Sequence, residues 1–96
     1  MRKTRKTGAQ ELEDLVSVGP ATRRDLESLG ISTIEQLKGC DAQELYQRLC
    51  SQTGTRLDPC VLDVFNAAIA QARDPNLPAE MKKWWFWSQE RKKGKN

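Results

Sequence analysis

Histidine is absent from this chain of 96 residues, and its absence limits the chemistry open to the protein. Histidine is the commonest side chain for general acid–base work near neutral pH and a frequent zinc ligand. The sequence also has no glycine-rich loop with a lysine for nucleotide phosphates, no nucleophile paired with a base and no cofactor motif. We therefore predict a protein that is not an enzyme and that needs no cofactor and no metal.

Long hydrophobic runs are missing as well. No stretch approaches the roughly 20 apolar residues that a membrane-spanning helix requires. The N-terminus is basic but lacks the apolar segment of a secretory signal. We expect a soluble, cytoplasmic protein that makes no contact with a membrane.

Cysteine is scarce, occurring only at Cys40, Cys50 and Cys60. An odd number does not suggest a disulfide framework, and the spacing does not match the close pairs of zinc sites. A three-thiolate metal site would require the fold to bring all three residues together. Cys60 lies near the start of a predicted helix, where the helix dipole favours the thiolate. Because two apolar residues follow it directly, we favour a buried structural thiol over a reactive one.

Basic residues are concentrated at the two ends of the chain. Residues 1–7 carry four basic and no acidic side chains, whereas residues 8–79 carry six basic and eleven acidic ones. Residues 80–96 carry six basic and two acidic side chains. Basic ends of this kind either bind polyanions without sequence preference or remain solvated.

The length of the chain suits a single domain. We expect that domain to cover residues 10–88, with a basic N-terminal tail at residues 1–9 and a basic C-terminal tail at residues 89–96. Within the second tail, we expect Arg91 to Lys95 to be disordered.

Apolar residues recur at helical spacing, and none alternate with a period of two over a useful length, so we predict an all-α fold without a sheet. Five short helices are expected, over residues 10–16, 20–29, 33–38, 42–52 and 59–73. Ser32 and Glu35 form a capping box, Asp41 caps the fourth helix, and Asp58 followed by Pro59 opens the fifth. The fifth helix is the most apolar and should be central.

The turn between the first two helices carries the clearest functional signal. Gly19 can adopt a positive φ angle at little steric cost, and Pro20 fits the first turn of a helix. The backbone N–H groups of that first turn have no helical partners, and together with the helix dipole they attract anions. The stretch therefore predicts a module that binds phosphate.

Several segments together resemble a known family. Residues 16–22 resemble the helix-hairpin-helix motif of nucleic-acid-binding proteins, and residues 29–37 look like the connector that follows it. Residues 58–65, with the tryptophan-rich run at 83–87, are similar to the small "pathogenicity locus" family of helix-hairpin-helix proteins. The resemblance covers residues 11–88. It implies an all-helical helix-hairpin-helix or SAM-like domain that binds DNA without sequence preference.

The resemblance also implies which residues contact the nucleic-acid backbone. These are Val18, Gly19, Ala21, Thr22, Arg23 and Arg24. The motif is altered, because Ser17 stands where the family has its first glycine and Val16 replaces the preceding proline. The nearby Glu13 and Asp14 would repel phosphate. The hairpin is therefore either a phosphate-binding element or a compact connector used only for packing, in a structural or protein-interaction domain.

All three tryptophans lie within residues 84–87, directly after two lysines. This arrangement suits stacking on bases, or a protein partner that docks on Trp84, Trp85 and Trp87. We favour a different interpretation, in which Trp84 and Trp87 pin the segment onto the core and Trp85 stays half exposed. The segment forms either a helix from Ala79 or an irregular arm across the domain.

Overall fold

The computed structural model describes residues 12–74 and 76–95, and the predicted N-terminal tail lies outside them. Five α-helices and two single turns of 3-10 helix are found within this part of the chain. In chain order they are a 3-10 turn at Leu12–Asp14, α1 at Pro20–Ser28, α2 at Ile34–Lys38, α3 at Ala42–Thr53, α4 at Cys60–Arg73, a second 3-10 turn at Ala79–Lys82 and α5 at Trp84–Lys95. No strand occurs among the described residues, and the predicted all-α class is confirmed.

The first predicted helix differs from the structure. Residues 10 and 11 lie outside the described part, and the rest of the segment forms only the 3-10 turn at Leu12–Asp14. The chain then reverses, with the N–H of Val18 donating to the carbonyl of Leu15 at 3.2 Å. Ser17 has a φ angle of 76°, a left-handed conformation that no α-helix can continue through. The fifth α-helix is instead the tryptophan-rich segment.

Local capping signals set most helix boundaries. Asp41 accepts a hydrogen bond from the backbone N–H of Glu44 at 3.1 Å and caps α3 as predicted. Asp58 accepts from the backbone N–H of Cys60 at 2.8 Å, beside the predicted start of α4. Gly54, with a φ angle of 74°, ends α3 in the left-handed conformation that glycine adopts most readily.

The capping box of α2 lies one residue later than predicted. Thr33 is the cap, and its hydroxyl accepts from the backbone N–H of Gln36 at 3.1 Å. The side chain of Gln36 accepts in return from the backbone N–H of Thr33 at 3.1 Å and from that of Ser32 at 2.7 Å. Glu35 instead pairs with Lys38 at the surface. The prediction that Ser32 and Glu35 form the box was therefore wrong.

Helix α4 is the centre of the domain, as predicted. It contacts α2, α3, α5 and the second 3-10 turn, and Phe65, Ala67 and Ala68 on it are fully buried. A core of this size gains most of its stability from removing such apolar surface from water. The core side chains outside α4 come from every element before it: Leu12, Leu15, Val18, Leu26, Leu29, Ile31, Leu37, Ala42, Leu45 and Leu49.

Helix α5 extends the folded region beyond the predicted boundary. It continues to Lys95, although disorder was predicted from Arg91 onward. Arg91 binds the fully buried carboxylate of Asp63 on α4 through two hydrogen bonds of 3.0 Å each. A buried carboxylate demands such a partner, and this pairing holds the helix against the domain. None of the helices in the described residues combines the length and apolar character needed to span a bilayer.

Candidate nucleic-acid interface

The hairpin turn leads into α1, and three of its backbone donors have no acceptor among the described residues. Gly19 precedes α1 in an extended conformation, with φ −97° and ψ −175°, and Pro20 is the first helical residue. Within residues 12–74 and 76–95, no acceptor is found for the N–H groups of Gly19, Ala21 and Thr22. Three neighbouring donors at the positive end of a helix dipole are the arrangement that binds phosphate in many proteins.

Nothing in the described part of the chain requires glycine at position 19. Its φ angle is negative, and a Cβ atom placed on it would meet nothing within 4 Å. An alanine there would fit the backbone and the space around it. The missing side chain does, however, leave the backbone open to close approach from outside, which is a common use of glycine at ligand sites.

Val18 differs from the other predicted contact residues. Its side chain is buried in the core, and its N–H is occupied by the carbonyl of Leu15. It therefore supports the turn and offers no donor to a ligand. Ala21 is exposed and Thr22 half-buried, so both can be reached from solvent.

The two arginines of α1 differ in their surroundings. Arg23 forms an ion pair with Glu27 one turn later, at 3.1 Å, and both side chains are substantially exposed. Arg24 is exposed, and no ion pair is found for it among the described residues. Exposed pairs of this kind contribute little to stability.

Ser17 connects the hairpin to the beginning of α5, a contact that sequence reasoning missed. Its hydroxyl donates to the carbonyl of Lys82 at 3.1 Å and accepts from the backbone N–H of Trp84 at 3.0 Å. It thereby satisfies one of the N–H groups that a helix start leaves without a partner. The residue that departs from the motif glycine is thus a tertiary cap for another helix.

Gln71 of α4 binds Val16, the residue that precedes Ser17. The side-chain amide of Gln71 accepts from the N–H of Val16 at 2.9 Å and donates to the carbonyl of Val16 at 2.8 Å. Gln71 is itself buried, so these bonds are shielded from water. Hydrogen bonds to α4 and to the start of α5 therefore fix the turn at Val16 and Ser17. The N–H groups without an acceptor among the described residues follow at Gly19, Ala21 and Thr22.

The tryptophans are not equivalent. Trp84 and Trp87 are half-buried, and the indole N–H of Trp87 donates to the carbonyl of Met81 at 2.7 Å. Trp85 is 52% exposed, and the ammonium of Lys83 lies 5.3 Å from the centre of its ring. The expectation that Trp85 stays half exposed is confirmed.

The environment of Cys60 does not favour a reactive thiol. The thiol donates to Asp58, and this hydrogen bond raises the pKa of Cys60, with partial burial adding to the effect. The pKa of Asp58 is lowered, chiefly by the hydrogen bond that its carboxylate accepts from the backbone N–H of Cys60 and further by the one from the thiol. The thiolate that the helix dipole was expected to favour is thus opposed by a neighbouring carboxylate.

The surroundings of Cys40 and Cys50 give no indication of a functional role. Burial raises the pKa of Cys40, and Cys50 accepts a hydrogen bond from the backbone N–H of Leu57. Across the described residues, the three cysteines do not come together with other ligand side chains in a metal-binding cluster.

Comparison with known proteins gives two positive results. A family model described as "Pathogenicity locus" matches residues 5–93. A curated relative from Streptomyces lavendulae, described as "Mitomycin resistance protein McrB", is 43% identical over 83 residues, which make up 86% of this chain and 75% of the relative. No solved structure matches the chain.

Proposed function

This chain belongs to the pathogenicity locus family, as its sequence indicated, and from that premise we propose that it is a small non-enzymatic module that binds the phosphate backbone of DNA through its hairpin. The observation that carries the proposal is the set of N–H groups at Gly19, Ala21 and Thr22, for which residues 12–74 and 76–95 offer no acceptor. Backbone donors of this kind fix a protein on a duplex without reading its bases.

Side-chain charge supports the same role. Arg24 is exposed next to the donors, and Arg23 is exposed beside it and pairs with Glu27 at 3.1 Å. The hydrogen bonds of Ser17 to the carbonyl of Lys82 and to the N–H of Trp84 bring the backbone of Lys82 and Lys83 next to the hairpin. These charges supply the salt-dependent part of the affinity that backbone binders share.

A second candidate function is a structural or protein-interaction domain in which the hairpin serves packing alone. The observation in its favour is the internal anchoring of the turn by Ser17 and Gln71. Against it stands Gly19, since no contact with the described residues requires a glycine there. We propose a cytoplasmic setting for either function, since the three cysteines form no disulfide among the described residues.

The name of the curated relative suggests a cellular phenotype that can be tested. That relative is described as a mitomycin resistance protein. We propose that this chain confers the same phenotype, which survival of a mitomycin-sensitive host with and without the chain would measure. Resistance that is retained when Gly19 is replaced by alanine would separate the phenotype from the hairpin.

The direct test is a titration of duplex DNA at two salt concentrations, read by fluorescence anisotropy. Gly19→Ala should fold normally and weaken binding about tenfold, because its Cβ atom would stand between the backbone and a phosphate. Gly39→Ala is the matched control, since Gly39 also has a negative φ angle and a Cβ atom there would make only an ordinary contact, 3.9 Å from the carbonyl oxygen of Gln36. Equal affinities of the two variants, or no binding at low salt, would overturn the proposal.

Charge is tested separately. Arg23→Ala with Arg24→Ala should reduce the steepness of the salt dependence by about two phosphate contacts. Lys38→Ala with Arg56→Ala removes the same charge elsewhere on the surface and should leave that slope nearly unchanged.

A chain that begins at residue 10 tests the N-terminal segment. Binding that survives the hairpin variants but disappears in this shortened chain would be tail electrostatics alone.

A further inference from the structure

Two large apolar side chains remain exposed in the described part of the chain, and both flank the same hydrogen bond. Val16 is 41% exposed and Trp85 is 52% exposed. Val16 precedes Ser17, Trp85 follows Trp84, and the hydroxyl of Ser17 lies 3.0 Å from the N–H of Trp84. The structure therefore brings the exposed apolar side chains to the junction between the hairpin and α5, although they are far apart in sequence.

The surroundings of Trp85 are basic. The ammonium of Lys83 lies 5.3 Å from its ring centre, and Lys82 belongs to the turn that Ser17 binds. The hairpin donors begin at Gly19, two residues after Ser17. Chain geometry places the backbones of Gly19 and Trp85 within roughly 18 Å of one another. A nucleic-acid strand carries a phosphate about every 3.4 Å of helix axis, so that span corresponds to a few nucleotides.

We propose that Trp85 stacks on an unpaired base of the same DNA whose phosphates the hairpin holds. The preferred ligand is then a junction between duplex and single strand, rather than a continuous duplex. This inference rests on the proposed function and names the class of DNA that it selects. An exposed indole next to lysines is the arrangement with which proteins hold unpaired bases, because every base offers an aromatic face.

A protein partner fits the same residues less well. A stable protein interface covers about 800 Å² on each side, with an apolar centre from which charged residues are depleted. Here two exposed apolar side chains stand beside lysines and unpaired backbone N–H groups, which complement an anion. Charge complementarity thus selects nucleic acid as the occupant.

The test compares three probes that share one duplex: a blunt form, a form with a short single-stranded extension, and a form whose extension consists of abasic sites. The unmodified protein should bind the natural extension about tenfold more tightly than the blunt duplex, in line with the stacking of one base. The abasic extension keeps the phosphates and removes the bases, so it should bind like the blunt duplex.

Substitution of Trp85 isolates the ring. Trp85→Leu keeps an apolar side chain and should abolish the preference for the extension, whereas Trp85→Phe should retain it within about threefold. Both variants should keep the thermal stability of the unmodified protein, since the ring is half exposed. Gly19→Ala should weaken binding to all three probes by the same factor.

The outcomes separate this inference from the function on which it rests. Duplex binding that depends on Gly19, without any preference that depends on Trp85, overturns the stacking site alone. A preference that persists on the abasic extension also overturns it, since phosphates would then be sufficient. Self-association that Trp85→Leu abolishes while DNA binding is unchanged would make the ring part of a protein interface. Failure of the unmodified protein to bind any probe overturns both proposals.

Discussion

The hydroxyl of Ser17 accepts a hydrogen bond from the backbone N–H of Trp84, 67 positions later in the chain, at 3.0 Å. Ser17 adopts a φ angle of 76°, which favours glycine, yet a glycine could not form this bond or the one to the carbonyl of Lys82. Serine in place of the motif glycine therefore gains two tertiary hydrogen bonds and accepts the conformational cost of a positive φ angle.

Two substitutions at Ser17 separate these effects. Ser17→Ala loses the hydroxyl and keeps the left-handed backbone cost, so we expect a loss of about 1–2 kcal/mol in the free energy of unfolding. Ser17→Gly loses the same bonds but relieves the backbone, and it should be more stable than Ser17→Ala by about 0.5–1 kcal/mol. Urea unfolding measures both values. Equal stabilities of alanine and glycine would show that the φ angle carries no cost.

Gln71 gives a sharper prediction, because it both accepts from and donates to Val16. Gln71→Glu preserves size and the acceptor but removes the donor, and it places a charge against backbone carbonyls in a buried site. We expect a loss of about 2–3 kcal/mol in unfolding free energy. Gln43→Glu, at an exposed position of α3, is the control and should change stability by less than about 0.5 kcal/mol. Similar losses in both variants would contradict the contacts described for Gln71.

The pair formed by Asp63 and Arg91 should respond asymmetrically to truncation. Asp63 is fully buried, whereas the side chain of Arg91 is 30% exposed. Arg91→Ala leaves a carboxylate without a partner or water, and we expect a loss of about 2–4 kcal/mol. Asp63→Ala should cost less, because the freed guanidinium can turn to solvent.

The double variant completes this cycle. Asp63→Ala with Arg91→Ala should be no less stable than Arg91→Ala alone, since neither charge is then left buried. Thermal unfolding of the four proteins under one set of conditions supplies the comparison. Strict additivity of the two single losses would show that the residues do not interact.

Cys60 should react slowly with thiol reagents at neutral pH. Its bond to Asp58 raises the pKa of the thiol, which lowers the thiolate fraction at any pH below that value. Asp58→Asn removes the charge and keeps a good capping residue, so it should shift the labelling profile to lower pH. Peptide mass spectrometry after timed alkylation follows Cys60 separately. Rapid labelling of the unmodified protein at neutral pH would restore the thiol as a functional candidate.

The features that could be predicted from the sequence are those set by neighbouring residues. Asp41 caps α3, Gly54 ends it, and Pro20 opens α1, since each acts through the few residues beside it. The error at α2 has the same origin. Ser32 with Glu35 and Thr33 with Gln36 fit one capping pattern equally well, and no local rule chooses between registers one residue apart.

Features that depend on distant partners could not be predicted. The length of α5 depends on the bond between Arg91 and Asp63, because the helix's last residues are charged and show no apolar pattern. At the candidate site, the motif correctly indicated a turn with open N–H donors beyond Gly19. It gave no indication of the role of Ser17, because the partners of Ser17 lie more than 60 residues later in the sequence.

This separation in sequence has a consequence for the protein during its synthesis. At about 5–20 residues per second, several seconds pass between the addition of Ser17 and that of Trp84. Throughout that interval the motif is present while its turn lacks the contacts that Ser17 makes with Lys82 and Trp84. A chain cut between α4 and α5 would keep the bonds between Gln71 and Val16 but lose the bond of Ser17 to Trp84. Synthesis of the start of α5 thereby becomes a condition for a fully held hairpin.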